Sequence, residues 1–116
     1  MEVGDVVIVE GVRRNGETFG PYRGVIEDWY NTITVFVRGP VDRDNPEGRW
    51  SGRRMVALRN VRPAGEPTTK REVMEVGRVR ARGVTEAEPV KVAAFKYWWA
   101  SELKRVESEI KDKTFW

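Results

Sequence analysis

At 116 residues the chain can hold one domain plus an appendage, and it carries 21 basic and 18 acidic side chains for a net charge of +3. It has no Cys and no His, which excludes a disulfide framework, thiol chemistry, the commonest zinc ligand and the commonest general base. The signs are interspersed: residues 1–65 hold ten Arg, no Lys and nine acids, and residues 66–116 hold eleven basic and nine acidic groups. That balance permits a local basic patch but no global steering field.

In chain order, Val3 to Glu10 reads as a first strand, opened by a Gly4-Asp5 turn and rich in β-branched residues. Residues 11–22, punctuated by Gly11, Gly16, Gly20 and Pro21, read as a loop. Gly24 to Val37 then reads as a hairpin on which the rest is organised. Its turn is expected at Asp28 to Asn31, with Ile33, Val35 and Val37 on one face and Thr32, Thr34 and Phe36 on the other. Residues 39–52 form a second long loop, Arg54 to Leu58 a fourth strand, and Asn60 to Pro63 a turn into a last extended segment. The Gly4-Asp5-Val6-Val7, Tyr22-Arg23-Gly24-Val25-Ile26, Thr34-Val35-Phe36-Val37 and Val56-to-Pro63 segments resemble the SH3-like barrel superfamily in the broad sense that includes Tudor and KOW-type modules. The resemblance covers about the first 64 residues and lies in packing and turn positions. It implies a small five-stranded barrel over residues 1–66. The Ala-Leu-Tyr-Asp-Tyr motif of signalling SH3 domains is missing, as is their Trp pair after the second loop, so the resemblance does not extend to polyproline binding.

From residue 67 the period changes to that of helices. Thr69-Lys-Arg-Glu72 matches a capping box, Val73, Val76 and Val79 follow at helical spacing, and Gly83 is placed to stop the turn. The spacing predicts a helix over about 70–82. The alternative is a strand through Arg78 to Arg82 with its three Arg on one face. A second capping box, Thr85 to Glu88, precedes a longer helix over about 86–112. Its Val92, Phe95, Trp99, Leu103, Val106 and Ile110 fall within an arc of about 80°. This stripe is expected to pack on the barrel, the helices of residues 67–116 forming an extension to it. Tyr97 points away from the stripe and Trp98 sits on its flank; with Phe115 and Trp116 they are the candidate partner interface.

For chemistry, Ser51, Ser101, Ser108 and Tyr97 have no His to activate them, and nucleophile-elbow and Walker motifs are absent. The tight acidic cluster Asp42, Asp44 and Glu47 lies in a turn-rich loop and reads as solvated acids rather than a metal site. No cofactor, metal or small-molecule substrate is expected. Arg43, Arg49, Trp50, Arg53 and Arg54, assisted by Arg13 and Arg14, combine guanidinium groups with an indole and suit phosphate contacts with base stacking. The opposing reading has Trp50 capping the barrel and the Arg side chains paired with the neighbouring acids. Tyr22, Trp29, Tyr30 and Trp50 are candidates for a Tudor-type aromatic cage, although adjacent Trp29 and Tyr30 face opposite ways on a regular strand. The start of the chain shows no basic-then-apolar leader and no apolar run long enough to span a bilayer. A soluble, cytoplasmic protein is expected. The function expected is a non-enzymatic protein–protein adaptor or assembly module, self-associating or binding another protein, with nucleic-acid binding through the Arg/Trp loop as the alternative.

Overall fold

A computed structural model describes residues 1–42, 48–50, 52–84 and 89–114. The chain divides into two compact units, Met1–Glu66 and Pro67–Trp116.

The first unit is a five-stranded antiparallel sheet. Its strands are β1 (Val6–Val12), β2 (Thr18–Asn31), β3 (Thr34–Gly39), β4 (Gly52–Ala57) and β5 (Val61–Gly65), in the spatial order β4-β3-β2-β1-β5. A single 3-10 turn, Leu58–Asn60, separates β4 from β5. Before β1 the chain reverses at Glu2 to Asp5, where the Asp5 N–H donates to the Glu2 carbonyl (3.1 Å) and Gly4 takes φ +94°. A side chain at Gly4 would be strained in that left-handed conformation.

Two boundaries differ from the sequence expectation. The first loop is shorter, because Phe19 and Tyr22 pair with Gly11 and Val9 across the β1–β2 ladder. Gly20 and Pro21, which suggest a loop, sit where the register shifts, with two residues of β2 opposite one of β1. A bulge tolerates Pro because the ladder hydrogen bond is already interrupted there.

The hairpin turn is also displaced. Asp28 lies within β2, and the reversal falls at Thr32-Ile33, where Asn31 Oδ1 accepts the Ile33 N–H at 2.9 Å. The Asx turn at Asn31 therefore sets the reversal. Ile33 consequently leaves the face shared by Val35 and Val37 and is 69% exposed. The inner face otherwise follows the alternation: Val7, Val9, Tyr22, Ile26, Val35, Val37, Val56 and Val61 form one buried cluster, flanked by Phe19 and Leu58.

The second unit is a helical pair, α1 (Lys70–Val84) and α2 (Pro89–Thr114). The strand alternative for residues 78–82 is thereby overturned, and Arg78, Arg80 and Arg82 do not form a one-sided stripe. The capping box is made as expected. The Glu72 N–H donates to Thr69 Oγ1 (3.1 Å), and the Thr68 and Thr69 hydroxyls both donate to Glu72 Oε2 (2.9 and 3.2 Å). These bonds satisfy a carboxylate that is almost fully buried.

Val73, Val76 and Val79 of α1 are all buried. Opposite them, the Trp99 indole N–H donates to the Val73 carbonyl (3.2 Å), and a Cβ on Gly77 would lie 2.2 Å from that indole. Gly77 is thus the gap that lets the indole reach the α1 backbone. Lys70 pairs with Glu107 (3.4 Å) and the Arg80 guanidinium lies over Trp98 (4.6 Å), so the helices run antiparallel. Of the expected α2 stripe, Val106 is fully buried, while Val92, Phe95, Trp99 and Leu103 are half-buried. Within the pair, Trp99 of the expected stripe meets α1. Arg105 closes the open end by donating to the Pro67 carbonyl (2.7 Å) while pairing with Glu102. The Ile110 side chain, the second capping box, Phe115 and Trp116 lie outside the described residues.

Candidate functional site

The Arg/Trp loop is held at its base by the Val41 N–H, which donates to the Arg49 carbonyl at 2.8 Å. Arg43, Asp44, Glu47 and Ser51 lie outside the described residues. Trp50 is 7% exposed, so neither of its faces is open for base stacking. Arg49 is exposed.

Arg53 and Arg54 do not form one patch, because adjacent strand residues point to opposite sides. Arg53 reaches Glu27 (3.5 Å) and lies 4.0 Å over the Phe36 ring. Arg54 turns the other way, over Tyr22 at 5.7 Å, and donates to the carbonyls of Pro40 (3.3 Å) and Val41 (3.5 Å). Sequence spacing therefore overstated the basic cluster.

Glu27 was not singled out from sequence, yet it organises one side of the sheet. It is 4% exposed in the irregular step of β2 between Ile26 and Asp28. Its Oε2 accepts from Arg38 Nε, and its Oε1 accepts from Arg38 Nη2 (3.4 Å) and faces Arg53. Two guanidinium groups offset the desolvation of one carboxylate, a geometry that holds Arg38 and Arg53 against the sheet. The available sequence signal was an acid inside the apolar run from Val25, but without the bulge its direction could not be read.

The same side carries exposed apolar surface. Tyr30 packs edge-on against Phe36 (5.8 Å, 86°), and Met55 is the register partner of Phe36 on β4. Tyr30 is 58% exposed and Met55 55%, and Trp29 and Ile33 are also exposed at the hairpin end. The aromatic-cage candidates are not brought together as one open wall, since Tyr22 and Trp50 are buried and Tyr30 engages Phe36. In the second unit Tyr97 is 78% exposed, as its position off the stripe implied. Trp98 is half-buried, stacked on Phe95 (6.2 Å, 30°) and covered by Arg80.

A pocket of about 190 Å³ opens on the first unit, lined by Arg13, Phe19, Tyr22, Arg54, Met55, Val56, Ala57 and Asn60. It unites Arg13 of the first loop with Arg54 of β4, one pairing anticipated from sequence; Arg14 is exposed but not part of the lining. Phe19, Met55 and Asn60 carry no sequence signal for this role, because only the β1–β2 pairing and the 3-10 turn bring them together.

Among the described residues no group of three acidic, His or Cys side chains could hold a metal ion, and no helix is long and apolar enough to cross a membrane. Compared with known proteins, the chain matches no protein-family model, no curated protein and no solved structure.

Proposed function

We propose that this chain is a non-enzymatic protein–protein adaptor or assembly module built on an SH3-like barrel. Five antiparallel strands in the order β4-β3-β2-β1-β5, with a long bulged β2 and a 3-10 turn before the last, support the barrel reading. The observation that carries the functional reading is the apolar end of the β2–β3 hairpin. Trp29, Tyr30 and Ile33 are exposed within five residues, whereas isolated exposed apolar side chains are ordinary. Aromatic residues in such clusters are the usual anchors of protein interfaces. Tyr97, on a regular helix, adds a second anchor of the same type. The absence of His and Cys from the sequence favours binding over catalysis.

The rival reading, a nucleic-acid module using Arg13, Arg14, Arg43, Arg49, Trp50, Arg53 and Arg54, loses its stacking platform with Trp50 buried and part of its charge with Arg53 on Glu27. Affinity capture of the tagged full chain from a lysate of its source, run in parallel with and without nuclease, separates the two. The expected result is a protein, or a second copy of the chain, retained in near-stoichiometric amount and lost in Ile33→Asp or Tyr97→Ala. Salt-sensitive capture of nucleic acid without protein overturns the reading.

A further inference from the structure

The pocket of the first unit has a chemistry of its own. Arg13 and Arg54 supply two guanidinium groups and Asn60 an amide, while Phe19 and Tyr22 supply ring surface. No acidic side chain among the described residues is in the lining. Among the described residues Arg54 meets two backbone carbonyls and the Tyr22 ring, all neutral. Among the described residues its charge is therefore oriented but not neutralised. Arg13 is exposed, and its backbone N–H donates to the Glu17 carbonyl at 2.7 Å. A fork of donors above an aromatic floor favours a carboxylate at the end of a short apolar stem.

Size narrows the class further. Sites for drug-sized ligands and cofactors run about 300–1,000 Å³, and a cavity of about 190 Å³ is suited to one side chain. Part of its wall belongs to β4, which pairs only with β3 in the described sheet and so stands at an edge. An extended peptide can align with such an edge and insert alternate side chains beside it.

We infer that this pocket receives an aspartate or glutamate side chain of an extended partner peptide, held by Arg13, Arg54 and Asn60. The inference rests on the adaptor reading and specifies what one of its surfaces recognises.

The test is a two-dimensional NMR titration of the full chain with a blocked leucyl-glutamyl-leucine peptide, its glutamine counterpart and inorganic phosphate. Amide shifts confined to Arg13, Phe19, Tyr22 and Asn60 with the glutamate peptide, and absent with the glutamine one, are expected. Arg13→Glu should weaken that binding on the order of tenfold, since hydrogen bonds to charged groups carry that much. Arg13 is exposed, so the fold should persist; Asn60→Ala is the second variant, and the dispersed amide spectrum reports folding of both. Equal shifts with both peptides, or no shifts at these residues, overturn the inference. Tighter binding of phosphate at the same residues overturns the peptide assignment in favour of a free or nucleic-acid anion. If the pocket fails while Ile33→Asp still abolishes partner capture, the adaptor reading stands and only this inference falls.

Discussion

The two units solve the same problem, burying an apolar face in a short chain, by opposite means. The sheet unit spreads its core over eight buried residues, of which six are Val. The helical pair concentrates its seam on one indole seated in the notch of one glycine, Trp99 on Gly77. A core of many small β-branched side chains is shared by all five strands, so a cavity opened in it is felt across the sheet. A seam built on one close approach is specific, and a single added methyl group can break it.

The largest expected effect lies in that shared core. Ile26→Ala removes the largest fully buried side chain among the described residues and should cost about 3–4 kcal/mol, read as lost amide protection within residues 1–66 in native-state hydrogen exchange. Trp99→Ala should cost about 3 kcal/mol, at the low end for Trp because the ring is half-buried, with lost protection in residues 67–114. Protection lost only in the opposite unit in either case breaks the comparison.

Arg38→Ala removes the two-pronged partner of the buried Glu27 carboxylate and should cost about 2–3 kcal/mol in urea denaturation. Arg53→Ala, which removes the more exposed partner, should cost less than half as much. The opposite order would mean that Arg53, not Arg38, satisfies Glu27.

Gly77→Ala sharpens the comparison through its sign. In an exposed helix the change stabilises by about 1 kcal/mol. Here the new Cβ meets the Trp99 ring, and the net effect should be a loss of about 1–2 kcal/mol. In a Trp99→Ala background the same change should become stabilising, because the obstruction is gone. Smallest of all, Tyr97→Ala should alter the stability of the free chain by less than about 0.5 kcal/mol, given its exposure.

Local rules determined much of this protein. The β-branched runs dictated strands, the Thr69–Glu72 capping box dictated where α1 begins, and the spacing around Trp99 dictated which face of α2 turns inward. Each is an interaction between residues a few positions apart, so the sequence alone carries it. Tertiary structure decided the rest. It burned no new rule into the chain, but it chose among local options: Asn31 rather than Asp28 as the turn residue, Ile33 outward, Trp50 buried, and Arg53 and Arg54 parted to opposite sides of β4. It also supplied the β2 bulge that brings Glu27 to Arg38, and the β1–β2 pairing and 3-10 turn that gather the pocket. The physical reason is register. A shift of one residue in a strand reverses every side chain, and pairing with a distant strand sets that register.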